Sequence, residues 1–241
     1  MIAVRKSPAP PDLILAGEEH VTELCAAFER DPALYLTGEK KWTFQEQIYR
    51  SELATLDACH QGKCCYCETA LDANSEVEHW RPKSHYYWLA YSWDNLFLSC
   101  GFCNKKKGNA FPLDDPDARA MHHGMSISDE RPGILKPDGD QDPKSHMKFK
   151  GDRPEGLTPL GRRTIELLGL DSPKHTGRLR RLAEVRLERE VCTRFTNSTD
   201  PDERLLAQKA RGLVEEAMRP TSPYSAMIAA YMEANPLPTT S

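Results

Sequence analysis

The chain has 241 residues, enough for one large domain or a small domain with a helical appendage. Its 39% hydrophobic and 28% charged residues suit a globular protein, and no apolar run reaches the roughly 20 residues that cross a bilayer. The formal charge of −4 excludes a protein that coats nucleic acid by bulk charge, so any phosphate contact must come from a local patch.

Residues 1–17 are proline-rich and read as extended, with no apolar core of signal-peptide length, so a cytoplasmic location is expected. Val21, Leu24, Cys25 and Phe28 repeat at helical spacing, and Asp31-Pro32 should end that helix. Thr43 and Glu46 have the form of a capping box, predicting a helix over 43–59 with Tyr49, Leu53 and Leu56 on one face and Gly62 as its stop. Residues 114–160 read as loops with short strands at Ile134-Leu135 and at Met147-Lys148-Phe149. Helices are then expected at 159–168, from Ser172-Pro173 with Leu179, Leu182 and Ala183 inward, and over 200–218 with Leu206, Ala210, Leu213, Val214 and Ala217 as a stripe. A last helix should follow Ser222-Pro223, and residues 236–241 look frayed. The expected organisation is an N-terminal helical segment (1–62), a central core (63–113), a loop-rich connection (114–157) and a C-terminal helical region (158–241). The fold class is α+β, mostly α-helical.

Residues 64–113 carry the chemistry. Of eight cysteines, Cys64/Cys67 and Cys100/Cys103 form two Cys-x-x-Cys knuckles. Each such turn presents two sulfurs to one ion, and two turns close a tetrahedral structural zinc site with no position left for substrate. Cys65 is an alternative to Cys64 with poorer spacing; Cys59 and His60 read as bystanders. Cys25 and Cys192 read as buried thiols. Between the knuckles, 76–80 alternates as a strand, placing Glu76, Glu78 and Trp80 on one face and Val77 and His79 on the other. Residues 96–99 read as a second strand, and a helix can begin near Cys103. A neutral imidazole suits proton abstraction from water, and oxygen ligands from Glu78 and Asn104 suit a hard divalent cation such as Mg²⁺ or Mn²⁺. The bland alternative is a structural histidine beside a surface acid.

The pattern C-x-Y-C, E-H-W-x-P-K, W-x-N-L and C-x-x-C-N-x-x-K resembles the HNH endonuclease family, with its ββα-metal core and zinc knuckles. The resemblance implies that His79 is the general base, that Glu78 stands where the family usually has Asp, and that Asn95 steadies the loop and the histidine. It puts Asn104 in the place of the last His as a metal ligand. More thinly, Ile134-Leu135-Lys136-Pro137, Ser145-His146-Met147-Lys148-Phe149 and residues 164–170 resemble the PtuB-like proteins, effectors of Septu anti-phage systems also found beside some retrons. That likeness implies a PtuA-like ABC-type ATPase as partner and, in the retron case, a reverse transcriptase with its nucleic acid.

Residues 76–112 hold five basic residues against three acids. Arg81, Lys83, Lys105 and Lys107 are therefore candidate phosphate contacts, with Lys106 read as solvated. Arg178, Arg180 and Arg181 could extend that surface. Tyr86, Tyr87, Trp88, Tyr91 and Trp93 read as packing ahead of base stacking. The leading function is metal-dependent cutting of DNA. The alternatives are RNA or tRNA as target, and an inert zinc-stapled nucleic-acid-binding adaptor.

Overall fold

A computed structural model describes residue 1 and residues 3–239. Helix α1 (Pro11–Arg30) starts with proline at its first position and buries Leu13, Gly17, His20, Leu24 and Phe28, a single stripe spaced by three and four. After it come α2 (Pro32–Leu36), α3 (Glu46–Arg50) and α4 (Leu53–His60). The single helix expected over 43–59 is thus two. Gln45, not Thr43, precedes α3, because the backbone N–H of Gln45 is taken by the Tyr91 hydroxyl at 2.9 Å. Ser51 and Glu52 then break the run. α4 ends at His60 through left-handed Gln61 and Gly62, whose N–H groups return to Ala58 and Asp57.

Strand β1 (Glu76–His79) pairs antiparallel with β2 (Leu96–Ser99), Glu76 opposite Ser99 and His79 opposite Leu96. Every residue of β2 is buried. Leu96 and Leu98 enter the apolar cluster under α1, α3 and α4, and Phe97 enters a second cluster around the knuckles, as a period of two requires. Helix α5 (Gly101–Lys107) follows the second knuckle directly. Among the described residues β1 has one strand neighbour, so its other edge is open.

Beyond α5, Ile134 and Leu135 are buried in the second cluster but form no strand; the Leu135 N–H bonds the Thr164 hydroxyl of a later helix instead. Helix α6 (Pro143–His146) leads into the hairpin β3 (Met147–Lys150) and β4 (Arg153–Gly156). Helix α7 (Pro159–Leu168) is capped by the Thr158 hydroxyl and closed by left-handed Gly169. His146 hydrogen-bonds that same hydroxyl at 2.8 Å, so it braces the cap. Helix α8 (Thr176–Phe195) starts later than Pro173, and Leu179 on it is exposed while Leu182 is buried. Helix α9 (Pro201–Ala217) buries Ala207, Ala210, Val214 and Ala217 and leaves Leu206 and Leu213 exposed. Small residues let α8 and α9 pack closely, which turns the leucines outward. Helix α10 (Ser225–Ala234) completes the third apolar cluster with Met227, Ile228 and Met232. Leu237 packs against that cluster and Pro238 accepts from Arg211, so the tail up to there is held; Thr240 and Ser241 lie outside the described residues.

Candidate active site

The site is built on the two knuckles. Cys64, Cys67, Cys100 and Cys103 bring their four sulfurs within 4.8 Å of one another, with Cys67 and Cys100 3.7 Å apart. Thiolates bonded tetrahedrally at about 2.3 Å to one zinc sit about 3.8 Å from each other, so the set fits a closed four-thiolate site. Cys65 is buried but stands outside the group. The first turn closes through Cys64 N–H to Thr69 O and Glu68 N–H to Cys64 O, with Glu68 in the left-handed region.

Each knuckle hands one donor to Glu78. Tyr66, inside the first, donates its hydroxyl to Glu78 Oε1 at 3.2 Å. Lys107, at the end of α5, places its Nζ 2.6 Å from the same oxygen and donates to the His79 carbonyl at 2.8 Å. Glu78 and Lys107 are each only 2% exposed, so Lys107 is not offered to a phosphate: it is the counter-charge of Glu78. Burial still pushes the Glu78 carboxyl up from its ordinary value, against the pull of Lys107.

His79 is fixed from the other side. Its Nε2–H donates to the Ala90 carbonyl at 2.9 Å, and its ring meets the Tyr49 ring edge-on at 4.9 Å. Nδ1 has no hydrogen-bond partner among the described residues, which leaves that nitrogen with a lone pair. Burial pulls the imidazole down to about 3, so it is neutral near pH 7. Asn95 braces the loop that carries Ala90. Its side chain accepts from Arg81 N–H at 2.7 Å and donates to Arg81 O at 2.9 Å and Leu89 O at 3.1 Å.

A cleft of about 240 Å³ runs along the open edge of β1. All four β1 residues line it, together with Asn104, Glu46, Tyr49, Arg50 and Lys83. Alternation alone would put Glu78 and His79 on opposite faces, but along an unpaired edge side chains from both faces reach one groove. The cleft thus unites Glu78, His79, Asn104 and Lys83. Asn95 stands behind it, and Lys105 is exposed on α5 away from its lining. Arg81 is not a surface cation: it is buried, ion-paired with buried Glu130 and surrounded by the rings of Trp80, Tyr86 and Phe111. Arg178 is likewise buried, bonding the Leu170 carbonyl. Tyr86, Tyr87, Tyr91 and Trp93 are buried packing, as expected.

Sequence reading overlooked Glu76 as a site residue. Asn104 Nδ2 donates to Glu76 Oε2, and Asn104, Glu76 and Glu78 all line the cleft. The signal was present, since Glu76 and Glu78 are two apart on a strand. This oxygen-only set fits a hard divalent cation.

Comparison with known proteins matches the model of the HNH endonuclease family over residues 64–110. The chain is 34% identical over 168 residues to Septu protein PtuB of Bacillus mycoides, and 29% identical over 193 residues to Septu protein PtuB of Bacillus thuringiensis. The matches cover 62% and 75% of this chain, which spans 55% and 67% of those relatives' lengths. Residues 64–110 thus match the HNH endonuclease family, within a chain similar to Septu PtuB proteins along most of its length.

Proposed function

We propose that the protein is a divalent-metal-dependent endonuclease that hydrolyses phosphodiester bonds in DNA, acting as the cutting component of an anti-phage complex with a PtuA-like ABC-type ATPase. The observation that carries the chemistry is a neutral imidazole, locked in one tautomer, facing the same cleft as an oxygen-only ligand set. His79 Nδ1 takes the proton of the attacking water, and the Ala90 carbonyl steadies the imidazolium that results. A phosphodiester anion entering the cleft raises the proton affinity of His79 above its value in the free protein. Asn95 acts through the loop: by holding Arg81 and Leu89 it keeps the Ala90 carbonyl in line with Nε2. Glu76, Glu78 and Asn104 would hold Mg²⁺ or Mn²⁺, whose chemistry there would be stabilisation of the charge that develops during hydrolysis. The four cysteines would hold zinc, which would tie down the two knuckles that set Tyr66 and Lys107 against Glu78. The partner follows from the likeness to the Septu proteins.

The test is plasmid cutting with Mg²⁺ or Mn²⁺, with and without the ATPase. His79→Ala should lower the rate by about a hundredfold or more while zinc content and thermal melting stay those of the parent. Cutting at the parental rate by His79→Ala would refute the assignment.

A further inference from the structure

The cleft holds two cations, and both are already engaged. Lys83 Nζ lies 3.1 Å from Glu46 Oε1, and Arg50 Nε lies 3.4 Å from Glu46 Oε2. One carboxylate thus offers each of its oxygens to a different cation. A phosphodiester presents the same thing: two unesterified oxygens sharing one negative charge. Arg50 and Glu46 belong to α3, outside the residues matched by the nuclease domain, and Lys83 belongs to the loop after β1. The three are seated on the wall that holds the imidazole. Tyr49, between Glu46 and Arg50 on α3, accepts from Lys83 Nζ at 2.5 Å and sets its ring edge against His79.

The charges in and behind the cleft sum to zero. Glu46, Glu76 and Glu78 are balanced by Arg50, Lys83 and the buried Lys107. Before any divalent cation binds the groove is neutral, and Glu46 is the acid that neutralises the two cations free to turn toward a ligand. The Glu46 and Arg50 side chains are about half exposed, 50% and 54%, so exchanging one acceptor for another there disturbs no packing.

We propose that Lys83 and Arg50 are the phosphate-binding pair of this cleft, and that Glu46 occupies the phosphate's place in the free protein, so that substrate binds by exchange with the Glu46 carboxylate. The assignment rests on the nuclease reading of the cleft and adds a substrate-binding residue, Arg50, and an internal competitor, Glu46. It makes Glu46 a brake on binding and not only a helix-surface acid.

The test is binding of a fluorescein-labelled DNA oligonucleotide, followed by anisotropy with Mg²⁺ in the His79→Ala background, over a range of salt concentrations. Glu46→Gln should tighten binding by about threefold. Arg50→Ala and Lys83→Ala should each weaken it by threefold or more and flatten the slope of log K against log salt by about 0.7 to 0.9 for each lost phosphate contact. Lys148→Ala, an exposed lysine on β3 outside the cleft, should leave both quantities unchanged. Unchanged affinity in Glu46→Gln, or an unchanged salt slope in Arg50→Ala, overturns the proposal. The nuclease reading is judged separately, on the same samples, by gel: an oligonucleotide cut at the parental rate in the His79→Ala background overturns that reading, whatever the anisotropy gives.

Discussion

At the scale of single residues, the most consequential arrangement is the buried triad of Tyr66, Glu78 and Lys107. A carboxylate this deep costs several kcal/mol in desolvation unless it is matched, and both its donors reach the same oxygen. Removing the ammonium strands the charge. Lys107→Met should therefore destabilise the fold by about 3 kcal/mol or more, read as a lower urea midpoint at neutral pH. Adding Glu78→Gln to that variant should recover much of the loss, since the stranded charge is then gone; a double variant no more stable than Lys107→Met would show that the pairing is not what Lys107 contributes. Sequence reading took Lys107 for a phosphate contact because it closes a run of three lysines. The spacing held the correction: Lys107 lies four residues after buried Cys103, on the inner face of α5. Arg81 gave no such signal, because its partner Glu130 is far along the chain in a segment that reads as loop. That Glu78, His79 and Asn104 line one cleft, with Asn95 behind it, and that the four cysteines converge, was legible from local order and spacing. Arg50 and Glu46 were not, because only tertiary packing lays α3 against β1.

At the scale of elements, the knuckles and the helices around them do different work. The first turn, the hairpin and α5 are short pieces, none of which would hold alone. Apolar clusters pack around them, and a metal on the four sulfurs would tie the pieces together. Cys64→Ser should abolish stoichiometric zinc and melt this region, seen as lost metal by absorption assay and a lower melting temperature, whereas Cys65→Ser should keep one zinc per chain. Loss of zinc in both alike would mean that the ligand set is misassigned. Helix α1 acts on the site at a distance. It crosses at Gly17, where an added Cβ would come within 2.8 Å of the Tyr91 Cβ, next to the Ala90 whose carbonyl holds His79. Gly17→Ala should cost about 1–2 kcal/mol in urea denaturation in spite of the better helix propensity of alanine, because neither backbone can yield freely. Patterns confined to one element read well: β2 falls on the expected 96–99 and α7 on the expected 159–168. The late start of α3 was hidden, since the Tyr91 hydroxyl that claims the Gln45 N–H comes from a turn 46 residues away.

At the scale of the whole molecule, the joints between the helical flanks and the nuclease core run through buried histidines. His60, the last residue of α4, is 4% exposed and shares its Nδ1 with the backbone of Leu98 on β2, at 3.1 Å from the carbonyl and 3.3 Å from the amide nitrogen. Burial pulls it down to about 4, as it pulls His79 down to about 3. In the unfolded chain both titrate near 6.5. Between those values the unfolded state binds more protons than the folded one, so stability must rise with pH there and fall on acidification. The contribution is fully present above about pH 6.5 and is lost progressively toward pH 4. One pH unit below 6.5, the two groups together should cost about 3 kcal/mol, a large share of the stability of an ordinary domain. Protonation of thiolates holding zinc would add to the same trend, so the total alone does not identify the histidines. His60→Asn does, because its amide can keep the bond to Leu98 without titrating. Urea midpoints at pH 7.5 and 5.5 should differ less in this variant than in the parent, by about 1.4 kcal/mol, the weight of one proton over one pH unit. The zinc contribution is common to both proteins and cancels. Equal pH slopes would show that His60 titrates alike in the folded and the unfolded chain, and that the joint between α4 and β2 is not the acid-labile seam described here.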